Sequence, residues 1–249
     1  MQRLSDDFLN LASHALNTPL TAIKGNLQVT QRRLAALKGQ FAAQTEPVGE
    51  NIERVQDTLE AAAQGVRLQE RMIENLMDDM LIQANNFALH MQHSDLRALL
   101  RDAVARKQGS VPQHPIVLEI TPSENMVPIL ADAARITRVI NTYLEQALSF
   151  SPTDQPVTVR LKVEDTIVRV SVHDAGPAIP VEEQGRIWER FHAATRRAGE
   201  QELDAGFGLD LYLSRAFIER HHGHVGVQSA SGQGTTFWFS LPLAKGDRS

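Results

Sequence analysis

Leu9-Asn10-Leu11-Ala12-Ser13-His14-Ala15-Leu16-Asn17-Thr18-Pro19-Leu20 sets the frame of this chain, because its apolar spacing belongs to a helix and continues far beyond the segment. Leu9, Ser13, Leu16, Leu20, Ile23, Leu27, Thr30, Leu34, Leu37 and Phe41 succeed one another in steps of four and three. That is a heptad seam, broken only by one Ser and one Thr, and it predicts a long amphipathic helix. Thr45-Glu46-Pro47-Val48-Gly49 then brings Pro and Gly together, which predicts a turn. A second seam follows in Ile52, Val55, Leu59, Ala62, Val66, Gln69, Ile73, Leu76 and Met80. Two long helices joined by a short turn make an antiparallel hairpin. A hairpin encloses little core, so pairing two of them into a four-helix dimer is the economical way to bury both seams. On periodicity alone, a two-helix spacer fits equally well.

After Asn85-Asn86 the period changes. Phe87 to Met91 and Ile116 to Ile120 read as strands. Val157, Val159, Leu161 and Val163 alternate, a turn is expected at Glu164-Asp165, and the alternation resumes at Val168, Val170 and Val172. Such runs with one polar face predict an antiparallel hairpin. Helices are expected over Asp132 to Phe150 and about Leu209 to His221, with a last strand over Thr235 to Leu243. The predicted fold class is α+β: a helical hairpin over residues 1–88, then an α/β sandwich over 89–249 with helices on one face of its sheet.

Composition narrows the function classes. The 249 residues carry a net charge of −5, which argues against a nucleic-acid partner, since that calls for a basic face. The chain has no cysteine, which removes disulfides and thiolate zinc sites and fits a reducing compartment. No apolar run approaches the ~18 residues of a membrane span, so no membrane contact is expected within this chain and a cytoplasmic location is. His221-His222-Gly223-His224 invites a metal reading, but no carboxylate stands at a suitable spacing; a helix ending at Gly223 and an edge strand account for it better.

His14 neighbours the seam position Ser13 but points roughly 100° away from it, onto the exposed side of the helix. A neutral imidazole is a competent nucleophile toward a phosphoryl group. A lone surface histidine usually does nothing, but Pro19 lies inside the same helix, where it removes a backbone bond and kinks the axis. Phe8-Leu9 through Gly25, with His14, Thr18-Pro19-Leu20 and Ile23-Lys24-Gly25, resembles the H-box of bacterial sensor histidine kinases, the kinases of two-component systems. Met72 to Met77, and the stretch on to Leu96, resembles that family's link into its ATP-binding domain, which is of GHKL type. The resemblance covers essentially the whole chain, with motifs in family order and spacing. It implies a homodimer that autophosphorylates His14 from ATP with Mg2+ and passes the group to an aspartate of a response regulator. It also gives Thr18 the place of the residue that positions water for phosphatase activity.

The remaining motifs extend the resemblance. Asp174-Ala175-Gly176-Pro177-Ala178-Ile179-Pro180 resembles the first glycine box, where a strand-end carboxylate accepts a hydrogen bond from the adenine amine. Gly176 lets the base approach the backbone closely. Ile187 to Phe191 looks like the F-box, and 192–205 the lid with Arg196, Arg197 and Glu200. Gly206-Phe207-Gly208-Leu209 opens a helix whose first amides can hold phosphate oxygens. Gly232-Gln233-Gly234-Thr235-Thr236 resembles the last glycine box, so Thr235 joins the implied nucleotide set. Each of these alone is more often a tight turn; together and in order they are not.

Several catalytic positions depart from the family. Ala15 replaces the acidic residue that takes the histidine's proton. On the helix Arg135 to Pro152, the magnesium-binding Asn falls on Gln146, the earlier polar residue on Thr142 and the phosphate-facing Lys on Ser149. Ala178 and Asp210 each replace a glycine. Asp210 puts a negative charge in the first turn of a helix meant to meet a triphosphate, although an early Asp is also ordinary capping chemistry. Two readings follow: an ATP-dependent histidine kinase, or a degenerate dimeric module that binds and dephosphorylates a response regulator through Thr18. A gyrase- or chaperone-type ATPase gives no account of the hairpin with His14.

Overall fold

The structure is a computed structural model and describes residues 21–23, 25–30, 32–33, 48–84, 87–121, 126–192 and 208–244. Two compact units are present, one ending at Met80 and one beginning at Leu81.

In the first unit, helical residues within 21–33 belong to helix α1, and α2 runs over Val48–Gln83. Arg33 Nη1 donates to Arg54 O and to Thr58 Oγ1, both at 2.6 Å, which fastens α1 alongside α2 as a hairpin requires. Thr30 and Thr58 are buried, and their hydroxyls bond back to carbonyls four residues earlier, Asn26 O and Arg54 O. Within the second seam Leu76 is buried, but other apolar residues are not. Leu59, Val66, Ile73 and Met80 are 52%, 42%, 44% and 47% exposed, and Leu27 on α1 is 48% exposed. The four on α2 recur every seventh residue, so one stripe of the helix is bare along its length.

The second unit is a sheet with helices on one side. It contains β1 (Gln92–Asp95), α3 (Leu96–Ser110), β2 (Ile116–Thr121), β3 (Pro128–Ala131), α4 (Ala133–Phe150), β4 (Val157–Glu164) and β5 (Ile167–Asp174). After these come α5 (Val181–Gln184), a 3-10 turn at Arg186–Trp188, α6 (Asp210–Arg220), β6 (His224–Ser229) and β7 (Thr235–Pro242). Five strands lie in the order β2-β4-β5-β7-β6, with β2 parallel to β4 and the rest antiparallel; β1 and β3 make a separate pair. The period-two residues meet in rows. Leu161, Val170 and Phe239 are register partners, as are Val159, Val172 and Phe237, and all six are fully buried. Against them α4 sets Ile136, Val139, Ile140, Tyr143, Leu144 and Ala147, all fully buried, with the Tyr143 ring 5.5 Å from Phe237 and 6.0 Å from Phe239. Each large side chain so removed from water contributes about 1.5–3 kcal/mol, which makes this layer the core of the unit.

Two expectations are corrected. Phe87 to Met91 is not a strand; pairing begins at Gln92. Phe87 serves side-chain packing instead, stacking on Phe217 at 5.4 Å, and the His90 amide donates to Asp132 Oδ2 at 3.0 Å rather than to a ladder. The β4–β5 turn lies at Asp165-Thr166, one residue later than expected, with Asp165 at φ +45, a left-handed conformation that Asp tolerates better than most residues. Two further elements were not expected: α3, capped by Asp95 Oδ1 accepting from Arg97 N at 3.0 Å, and the short β3.

Candidate functional site

Strand alternation places the central acid. In β5 the buried positions are Val168, Val170, Val172 and then Asp174, so the carboxylate occupies the last inward place of the strand and is wholly buried. A buried carboxylate is costly unless hydrogen-bonded. The Gly176 amide donates to Asp174 Oδ1 at 2.9 Å. Across the ladder, Asp174 is the register partner of Thr235, also wholly buried.

The backbone closes tightly here. A Cβ on Gly176 would stand 2.6 Å from Phe150 O and 2.8 Å from Asp174 Oδ1. A Cβ on Gly234, whose φ is +69, would stand 1.9 Å from Asp174 O. Glycine is therefore a steric requirement at both places. Ala178 is half-buried in the same loop. Its neighbour Ile179 donates its amide to Ser229 Oγ at 2.8 Å, and that hydroxyl lies 2.7 Å from Thr235 Oγ1. Gln184 Nε2 ties the two segments by donating to Ile179 O at 3.0 Å and Ser229 O at 2.9 Å, while the Ala175 amide donates to Ser151 Oγ at 3.4 Å. Ser151, Gln184 and Ser229 fall outside the predicted set. No local pattern marks a lone Ser or Gln as the brace of a loop fifty residues away.

A second anchor is the start of α6. Gly208 has φ +63, and a Cβ there would meet the His192 backbone at 2.5 Å. Leu209, wholly buried, is the residue before the helix, which has no side-chain cap; Asp210 is the acid of its first turn. The helix start thus offers amides suited to an anion and a carboxylate that opposes one. His192 itself is pinned, with Nε2 2.5 Å from Glu183 Oε2, and Glu183 Oε1 accepts from Arg186 Nη1 at 2.9 Å.

Gln146 is half-buried on α4, one turn before Phe150, whose carbonyl overlies Gly176. Thr142 is buried and Ser149 exposed on the same helix. Among the described residues no group of three or more His, Cys, Asp or Glu could hold a metal. A hard dication would find an oxygen donor in the Gln146 amide, and such ions are commonly held by one or two protein oxygens plus substrate phosphates. Asp174, Gly176 and Thr235 are thus brought into one place, joined by Gly234 of the last glycine box; Gly208 and Leu209 sit at the second anchor. His14, Ala15, Thr18 and Gly206 lie outside the described residues.

Comparison with known proteins fits both halves. Residues 4–85 match the His Kinase A (phospho-acceptor) domain, and residues 131–245 match the histidine kinase-, DNA gyrase B- and HSP90-like ATPase. The probable sensor histidine kinase TcrY of Mycobacterium tuberculosis is 30% identical over 95% of this chain and 45% of its own length. The adaptive-response sensory kinase SasA of Gloeothece citriformis is 29% identical over 97% of this chain and 58% of its own. The chain spans about half the length of these relatives. Among solved structures, histidine kinase ThkA in complex with the response regulator protein TrrA is similar in fold at a TM-score of 0.64 and 19% identity, covering 99% of this chain and 65% of that one.

Proposed function

We propose a function from one premise: the chain belongs to the sensor histidine kinases of two-component systems, with a His Kinase A domain followed by an ATPase domain. In this reading residues 1–88 form the dimerising, phosphate-accepting hairpin and residues 89–249 the ATP-binding domain. ATP enters with its adenine amine toward Asp174, against the close backbone of Gly176, Ala178 and Gly234, with Thr235 behind. Gly206, Gly208 and Leu209 present amides to the phosphates. Gln146 holds Mg2+, which supplies charge neutralisation on the phosphate oxygens. An imidazole nitrogen of His14 attacks the γ-phosphorus, a P–N bond forms as the bond to ADP breaks, and the imidazole's proton goes to water because Ala15 offers no base. The phosphoryl group then passes to an aspartate of a response regulator. ATP as donor puts the reaction in the cytoplasm. The bare heptad stripe Leu59, Val66, Ile73 and Met80 supports a homodimer joined through the hairpins.

The observation that carries this reading is the wholly buried Asp174 at the head of a glycine-bounded loop, on the same chain as a phospho-acceptor domain containing His14. Radioactive ATP should leave an acid-labile, base-stable label on the parent chain and none on His14→Gln. Label that survives the substitution would place the acceptor elsewhere. A second reading is favoured by Asp210 in the first turn of α6. There the dimer binds a phosphorylated regulator and speeds its hydrolysis through Thr18, making little phosphohistidine. Loss of regulator dephosphorylation in Thr18→Ala, with no label on the parent, selects it.

A further inference from the structure

His221 is 2% exposed and has both ring nitrogens engaged. Nε2 accepts the Asp132 amide at 2.9 Å, so it carries no proton; Nδ1 carries the proton and donates to Phe217 O at 2.7 Å. Asp132 is the N-cap of α4. Its Oδ1 accepts from the Arg135 amide at 3.2 Å and its Oδ2 from the His90 amide at 3.0 Å. The connection closes on itself, because Phe87, three residues before His90, stacks on Phe217 at 5.4 Å with an interplanar angle of 18°. Arg135 lies 5.0 Å over Phe87 and 5.1 Å over Phe217, and Arg220 lies 5.6 Å over Phe87.

The geometry points to His221 as a proton-operated fastening that ties the 87–91 segment to the start of α4 and the end of α6, holding when the imidazole is neutral and releasing when it is charged. Protonation would put a second donor against the Asp132 amide, leaving two N–H groups facing each other in a buried place. The segment so released begins at Phe87, a few residues after α2 ends at Gln83.

The groups around the ring have opposed effects. Burial lowers the His221 pKa; the bond to the Phe217 carbonyl and the charge of Asp132 work against this, and His222 adds to it. Arg135 and Arg138 on α4 and Arg220 on α6 lie over the Phe87 and Phe217 rings of the same fastening, Glu219 and His90 are the other ionisable groups of the adjoining segments, and His224 at the start of β6 is exposed. Burial also works against the Asp132 carboxylate, but the His90, Arg135 and Ala134 amides and the Arg135 charge outweigh it and keep its carboxyl below the usual range. Asp132 thus remains ionised while His221 titrates. With the folded value below the ordinary 6.5, the neutral ring's contribution to stability is whole above 6.5 and is lost as the pH falls toward the folded value.

The test uses the full chain labelled with nitrogen-15 and does not depend on ATP. Ring resonances of His221 are expected to show the Nδ1–H tautomer at pH 7.5 and a midpoint below 6.5. Through that midpoint, exchange protection of the Asp132 and His90 amides, corrected for intrinsic rates, should fall at least tenfold. In His221→Gln, which keeps an acceptor but does not titrate, protection of these amides should be flat over the same range. A midpoint at or above 6.5 in the parent chain would overturn the proposal. So would amides that stay protected through the titration, whether or not the variant folds.

Discussion

Two glycines of one loop separate steric need from conformational need. Gly232 and Gly234 have almost the same φ, +72 and +69, but a Cβ on Gly232 meets nothing within 4 Å, whereas one on Gly234 runs into Asp174 O. Gly232→Ala should therefore cost about 1 kcal/mol of strain and leave nucleotide binding nearly intact. Gly234→Ala should displace the Asp174 backbone and reduce ATP binding at least tenfold; calorimetric titration of both variants distinguishes the cases. The departures from the family belong to the same scale. Gln146 carries the amide of Asn on a chain one methylene longer, so its oxygen arrives about 1 Å out of place, an error that can cost on the order of a hundredfold in rate. Gln146→Asn is expected to strengthen magnesium-dependent ATP binding while His14 labelling stays slow. Adding Ala15→Glu should raise the labelling rate by roughly tenfold or more, since a positioned base is typically worth ~100- to 10,000-fold. If the pair labels no faster than the parent, Asp210→Gly is the next substitution.

Helix α4 is the element on which core and site meet. Its inner face packs on the sheet through Tyr143, whose hydroxyl is buried without a partner and whose pKa burial drives far upward. An unsatisfied buried hydroxyl costs about 1–3 kcal/mol, so Tyr143→Phe should stabilise the chain by roughly 1 kcal/mol in chemical denaturation. This helix was readable in the sequence because Ile136, Val139, Ile140, Tyr143, Leu144 and Ala147 recur in threes and fours. Strands β4 and β5 were readable by strict alternation. Helix α3 was not: its buried face, Leu96, Leu100, Ala103 and Val104, has the same spacing but spans little more than two turns. The parallel pairing of β2 with β4 leaves no local mark, because two parallel strands share no turn. Within the site, Asp174, Gly176 and Thr235 were legible as motif residues. Ser229 and Gln184 were not, since their role is to brace distant backbone.

At the scale of the whole molecule, the bare stripe on α2 governs assembly. Lysine at Val66 would set a charge in the middle of four apolar residues spaced by sevens. Val66→Lys is expected to sediment as a monomer at micromolar concentration where the parent sediments as a dimer, and to lose His14 labelling only if the acceptor needs its mate. A parent chain that sediments as a monomer would remove the dimer from the proposed function. The sheet order has a different consequence, felt before the protein is complete. Strand β5 pairs on one side with β4, its immediate predecessor, and on the other with β7, so Asp174 waits about sixty residues for Thr235. At 5–20 residues per second a ribosome needs roughly 3–12 s to supply them. For that interval the β4–β5 hairpin has emerged with the edge of β5 that β7 will pair still open. The nascent chain is then most exposed to aggregation and most in need of a chaperone, and pausing of translation between residues 175 and 234 should lower the yield of soluble protein more than pausing before residue 157.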